Sequence, residues 1–147
     1  MGLTRKQRRV ARIVLDVGLL VGFVVEFLSR EGPDYDLHSW VGVALIPIIG
    51  VHLATNWSWV RATVKRRAAH PEWSLARFNA LFSVVTAVCI LTGFPIWLEW
   101  SDAGAWSTVH TLTGFASLIM MVSHLWRNRS RIRSMLGRQR SAPVGAA

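Results

Sequence analysis

The sequence contains one cysteine, Cys89, one tyrosine and only eight acidic residues. A single cysteine excludes a disulfide framework within the chain. Seventeen Lys and Arg residues outnumber the acidic ones, so the 147-residue chain has a formal net charge of +9. Yet 52% of the residues are hydrophobic, and eight are tryptophan. A chain this basic and this apolar must separate its charges from its apolar segments.

Polar residues are almost missing from four stretches, at about 10–29, 38–60, 76–98 and 108–126. Helices of a soluble bundle would show a polar face along each of these stretches. Each stretch has about 18–23 residues, which is enough for a helix to cross a hydrocarbon core of about 30 Å. The sequence therefore predicts an all-α membrane protein, a four-helix transmembrane bundle with up-down-up-down topology.

The basic residues flank the ends of these stretches that the positive-inside rule assigns to the cytoplasm. The two loops on the opposite side contain Arg30 as their single cation. Both termini are therefore predicted to be cytoplasmic, with a basic arm at 1–9, the bundle at 10–127 and a basic tail at 128–147. This placement favours anionic membrane lipid as the partner of the charges, and it argues against nucleic acid. The sixteen residues on the predicted cytoplasmic side are Arg5, Lys6, Arg8, Arg9, Arg12, Arg61, Lys65, Arg66, Arg67, Arg77, Arg127, Arg129, Arg131, Arg133, Arg138 and Arg140.

The first stretch is interrupted by two carboxylates, Asp16 and Glu26, and it contains the spacing Gly18-x-x-x-Gly22. Small residues at this spacing let a second helix approach closely in a membrane. A carboxylate is costly in lipid, so both acids are expected to face the bundle or an interface. Glu26 is either an interfacial carboxylate or a proton-handling group, and the sequence leaves both roles open. We interpret the stretch as an uncleaved first span rather than a secretory signal.

Four histidines recur in the second and fourth stretches in the same register. Residues 38–60 read HSWVGVALIPIIGVHLATNWSWV, and residues 110–132 read HTLTGFASLIMMVSHLWRNRSRI. Each segment holds two histidines 14 residues apart, which on a helix is just under four turns and a rise of about 21 Å. Both imidazoles of a segment therefore point to nearly the same side. The four residues are His38, His52, His110 and His124.

The two histidine-bearing stretches are predicted to run in the same direction and to be diagonal neighbours across the bundle core. His38 and His110 then share a level near the outer face, and His52 and His124 share a second level toward the cytoplasm. A structural zinc requires four ligands, whereas each level offers two imidazoles. A haem supplies four planar nitrogens itself and needs only two axial ligands. The pattern therefore predicts two haem sites.

Two other interpretations of the histidines stay open. They could serve other metal or proton chemistry, or they could only form hydrogen bonds between helices. Gly42 and Gly114 follow His38 and His110 by one turn toward the membrane centre. A missing side chain there leaves room for a flat macrocycle, although glycine equally serves helix packing. His70 lacks the common register and is predicted to be a surface residue.

The paired His-x13-His helices, with the segments LHSWVG and VHLATNWSWV, resemble the transmembrane di-haem cytochrome b superfamily. That superfamily includes the cytochrome b of the respiratory quinol-oxidising complex and the membrane subunits of formate dehydrogenase and nickel–iron hydrogenase. The four-span layout is similar to small bacterial members without an assigned function, and the resemblance covers about residues 10–130. It implies two b-type haems, transfer of electrons between them across the bilayer, and a multi-pass protein of the bacterial inner (cytoplasmic) membrane. The residues it implies as haem-iron ligands are His38, His52, His110 and His124.

The sequence therefore predicts a membrane di-haem b-type cytochrome that carries electrons between two bis-histidine haems and is linked to a quinone. The alternatives are a stand-alone superoxide oxidase or ferric reductase, and a non-redox membrane anchor or ion conduit. Arg30 is a candidate contact for the outer haem propionates, and Arg61, Arg12 or Arg127 for the inner ones. A quinone or a redox partner protein is the expected electron partner. The sequence leaves open whether the protein acts alone, as a homodimer or as a subunit of a larger complex.

Overall fold

In the computed structural model the described residues, 4–31, 35–99 and 104–140, are helical apart from short connections. This confirms the all-helical prediction. The ends of the predicted basic arm and tail, residues 1–3 and 141–147, lie outside the described residues. The helices are α1 (Arg5–Leu28), α2 (Tyr35–Thr55), α3 (Trp57–Arg66), α4 (Trp73–Trp97) and α5 (Gly104–Arg140), with a 3₁₀ turn at Arg67–Ala69 between α3 and α4.

Three of these helices are long and apolar enough to cross a membrane, over Asp36–Thr55, Trp73–Trp97 and Gly104–Ser130. They support the prediction of a multi-pass membrane protein. Helix α1 has 24 residues and is also long enough to span, at about 1.5 Å per residue. It is not among these three helices, because Arg12, Asp16 and Glu26 place three charged residues in its apolar part. The first of the four spans therefore stays a prediction.

The helices form two antiparallel hairpins. Helix α1 packs along α2, α4 packs along α5, and α1 also contacts α5. In the first hairpin Glu26 contacts His38 at one end and Asp16 contacts His52 at the other, which fixes the antiparallel direction. The second hairpin is arranged in the same way. Helices α2 and α5 consequently run in the same direction.

A small apolar core joins α1, α2 and α5 between the two ends of the bundle. Leu19, Leu45 and Met121 are each buried there. The rings of Phe23 and Phe82 lie 6.2 Å apart and bring α4 against this core. The outward faces of the helices are apolar and exposed, as is expected for helices that contact lipid tails.

Three boundaries differ from the sequence prediction. Helix α1 begins at Arg5, inside the basic arm predicted at 1–9, and the side chain of Thr4 caps it. The stretch predicted at 38–60 divides at Asn56, where α2 ends and α3 begins. The side chains of Thr55 and Asn56 both donate to the carbonyl oxygen of His52, at 2.9 Å, so they bind a carbonyl near the helix end and favour termination. At the other end, residues 128–140 of the predicted tail continue helix α5, because no proline interrupts the sequence before residue 143.

Two glycines of α1 allow a test of the packing between α1 and α2. A Cβ atom at Gly22 would lie 2.5 Å from Leu45 Cδ2, whereas nothing lies within 4 Å of one at Gly18. We expect Gly22→Ile to lower the stability by about 1–3 kcal/mol through overpacking. Gly18→Ile, the matched control, should leave stability unchanged. Thermal unfolding in detergent measures both, and equal midpoints for the two variants would contradict this packing.

Candidate functional site

His38 and His110 lie next to each other, although they belong to different hairpins. Their ring centroids are 5.9 Å apart, and the ring planes are nearly perpendicular at 87°. His38 lies near the beginning of α2, and His110 lies near the beginning of α5. The structure therefore brings two of the four predicted ligands together at one end of the bundle.

The ring of His38 is held through Nδ1 by Glu26. The backbone carbonyl oxygen of Glu26 lies 2.9 Å from His38 Nδ1, and the side-chain oxygen Oε2 of Glu26 lies 2.7 Å from the same nitrogen. Both oxygens are acceptors, so Nδ1 carries the hydrogen. In the neutral ring the lone pair is then on Nε2, which is the form that binds a metal.

The ring of His110 is held in a similar way by α4. Its Nδ1 donates to the carbonyl oxygen of Cys89 at 2.8 Å. A Cβ atom at Gly93 would lie 3.0 Å from Cε1 and 3.3 Å from Nδ1 of this ring. Gly93 therefore makes room for the imidazole, a role that sequence reasoning missed.

The other two histidines lie at the opposite end of the bundle. His52 Nδ1 lies 3.0 Å from Asp16 Oδ1, as a charge contact without the alignment of a hydrogen bond. His124 Nδ1 donates to Asn79 Oδ1 at 3.0 Å. His52 and His124 therefore both lie at the end of the bundle opposite to His38 and His110.

The same arrangement occurs in both hairpins. Each histidine has its Nδ1 next to an oxygen atom from the preceding long helix. The residues that supply these oxygens are ten positions apart in both cases, Asp16 with Glu26 and Asn79 with Cys89. Sequence reasoning missed this role for all four residues. The shared spacing of ten was visible, but it has meaning only once the helices are paired.

A cavity of about 420 Å³ opens beside His38 and His110. Its wall is mostly apolar and includes Gly42 and Gly114, both proposed from the sequence to leave space there. A Cβ atom at Gly42 would lie 3.1 Å from Glu26 Oε1, and one at Gly114 would lie 3.7 Å from a sulfur atom. Glu26 Oε1 is buried and forms no hydrogen bond. A polar atom therefore remains unsatisfied at the cavity wall.

Two of the predicted arginines occupy different places. Arg30 lines the cavity, donates to the carbonyl oxygen of Phe27 at 2.9 Å and lies 4.1 Å above the ring of Phe27. It also pairs with the exposed Glu31 at 3.1 Å. Arg61 lies exposed on α3.

His70, predicted at the surface, is half-buried between α3 and α4, where its Nδ1 accepts from the backbone N–H of Glu72.

Within the described part of the chain, no three His, Cys, Asp or Glu side chains are grouped so that they could hold a metal ion. His38 and His110 offer a pair of adjacent imidazoles instead. The arrangement suits a metal that needs two ligands from the protein. Comparison of the chain with protein-family models, curated proteins and solved structures gave no match.

The space at Gly93 generates a prediction for the site. We expect Gly93→Val to displace the His110 ring, weaken its bond to Cys89 and lower stability by about 1–3 kcal/mol. Gly50→Val is the matched control, since nothing lies within 4 Å of a Cβ atom there. Thermal unfolding in detergent reports the difference. If both variants unfolded at the same temperature, the close packing of Gly93 on the ring would be wrong.

Proposed function

We propose that this protein is a membrane di-haem b-type cytochrome that carries electrons across the bilayer. The observation that supports it most strongly is the pair His38 and His110, with centroids 5.9 Å apart. Both rings have Nδ1 next to an oxygen acceptor, which directs the lone pair to Nε2. Ligating histidines in proteins almost always have their second nitrogen held in this way.

The rings of His38 and His110, with centroids 5.9 Å apart, are close enough that both would hold one bound metal. A mostly apolar cavity of about 420 Å³ adjoins the pair, within the roughly 300–1,000 Å³ typical of cofactor sites.

The four histidines would ligate two haems, one at each level. A bound haem supplies one-electron redox chemistry, and two axial histidines favour electron transfer over binding of oxygen at the iron. Fourteen residues of helix separate the levels by about 21 Å. This separation supports transfer between the two sides of a membrane. Arg30 at the outer cavity and Arg61 on α3 remain the proposed contacts for the propionates.

The electron partner that we propose at one end is a quinone, which rests on the resemblance of the sequence to the cytochrome b of the quinol-oxidising complex. The four-span topology with both termini in the cytoplasm of a bacterium belongs to the same proposal. Its support is the basic residues on one side of the helices. Turnover assays separate an electron carrier from the stand-alone enzymes. A carrier should be reduced by quinol, whereas the alternatives should oxidise superoxide or reduce ferric chelates.

Haem content tests the proposal. The purified protein should show a b-type reduced-minus-oxidised spectrum and about two haems per chain by pyridine haemochrome assay. His38→Ala and His110→Ala should each lose the same haem, since both remove an axial ligand of one iron. His52→Ala and His124→Ala should each lose the other. The double variant His38→Ala with His110→Ala should lose no more haem than either single variant.

His70→Ala is the control and should keep both haems, because His70 lies apart from the two pairs. A colourless wild-type protein, produced with an adequate haem supply, would remove the proposal. Loss of the same haem in His38→Ala and His52→Ala would keep the cytochrome but overturn the assignment of levels.

Cysteine labelling tests the topology. In a Cys89→Ala background, Glu31→Cys should react with a membrane-impermeant maleimide in intact cells, since it follows the outer end of α1. Lys65→Cys on α3, and a cysteine added ahead of residue 1, should react only after the cells are permeabilised. Labelling of Glu31→Cys only after permeabilisation would show that α1 does not cross the membrane.

A further inference from the structure

The two hairpins differ in one respect that the histidine repeat does not explain. In the second hairpin the acceptors at Nδ1 are neutral, a backbone carbonyl for His110 and the Asn79 amide for His124. In the first hairpin a carboxylate oxygen lies beside each Nδ1, Glu26 Oε2 at 2.7 Å from His38 and Asp16 Oδ1 at 3.0 Å from His52. Each level of the bundle therefore combines one histidine beside an anion with one beside a neutral group.

Orientation of the rings does not require these anions. The α4 groups show within the same chain that a neutral oxygen holds an imidazole at 2.8–3.0 Å. A carboxylate is the costlier choice, because ionised groups lose hydration in an apolar bundle. The side chain of Glu26 is only 17% exposed, and that of Asp16 is 35% exposed. The charge itself therefore has a consequence beyond holding the ring.

That consequence is electronic. A carboxylate that accepts the Nδ1 hydrogen raises the basicity of the ligating imidazole. A more basic axial ligand, with a negative charge beside it, stabilises ferric iron over ferrous iron. Hydrogen bonding around the ligands is one of the means by which a protein sets the potential of a haem.

We propose that Glu26 and Asp16 are positioning residues that lower the midpoint potentials of the two haems, Glu26 through His38 at the outer level and Asp16 through His52 at the inner level. This inference rests on the proposed function. Helix α1 then contributes no ligand, yet it sets the potential at both ends of the bundle. Gly42 belongs to this arrangement, because a Cβ atom there would meet Glu26 Oε1 at 3.1 Å.

The test is a redox titration of the purified holoprotein with Glu26→Gln, which keeps an oxygen acceptor and removes the charge. We expect both haems to stay bound and the potential of the outer haem to rise. At the wild-type midpoint of that haem, its Fe(II)/Fe(III) ratio should increase about tenfold, equivalent to about 59 mV for one electron. Its low-spin electron paramagnetic resonance signal should shift as well, since the axial ligand changes in character.

Asp16→Asn should shift only the inner haem, so each variant is a control for the other. Glu99→Gln is the charge control, because this substitution removes the same charge. Glu99 is exposed after the end of α4 and has no histidine contact in the described structure. Two bound haems with unmoved potentials in Glu26→Gln and Asp16→Asn would overturn the inference and leave the proposed function intact. A shift of similar size in Glu99→Gln would also overturn it, since any nearby charge would then suffice.

If Glu26→Gln loses haem, the variant Glu26→Asp separates an effect of charge from an effect of packing, because it keeps the charge. Retention of haem at a low potential in Glu26→Asp supports the need for an anion beside His38. Loss of haem in both variants, with protein still folded in the membrane, shows that Glu26 acts through packing and overturns the inference. Wild-type protein without haem would instead remove the proposed function itself.

Discussion

The contact between a histidine Nδ1 and an oxygen of the preceding long helix is the interaction on which the rest of the bundle depends. Polar groups inside apolar helices need partners, because no water is present to satisfy them. Glu26 and Asp16 each place a carboxylate oxygen beside a ring nitrogen, at 2.7 Å from His38 and at 3.0 Å from His52. Because such contacts occur at both ends of each hairpin, they also fix its register. One set of contacts therefore aligns the helices and orients the rings.

Close approach of the helices follows from missing side chains at a few positions. Gly22 leaves space for Leu45, Gly93 for the His110 ring, and Gly42 for the Glu26 carboxylate. Each of these glycines lies on one helix of a hairpin and faces a side chain of the other helix. Tight packing thus occurs around the core and the polar contacts, while the cavity beside His38 remains open. The bundle is closely packed where the rings are held and open at the cavity beside them.

The helical architecture and the histidine register could be predicted from the sequence, because both depend on periodicity along one chain. The break at Asn56 could not, since it reflects side chains that bind the His52 carbonyl near a helix end. The partners of the rings were equally hidden. The Cys89 acceptor is a backbone carbonyl, which any residue supplies. Asn79 and Asp16 gain their roles only from the way in which the helices pair.

The two carboxylates within α1 have a physical explanation if the haems are present. A ferric haem centre has one more positive charge than a ferrous centre, and an apolar medium screens that charge poorly. A carboxylate at each level would offset it, and α1 carries both, Glu26 at one level and Asp16 at the other. Helix α4, whose ring acceptors are neutral, needs no such charges and is among the three candidate membrane spans. The carboxylates that help to keep α1 out of that group would then follow from its electrostatic role.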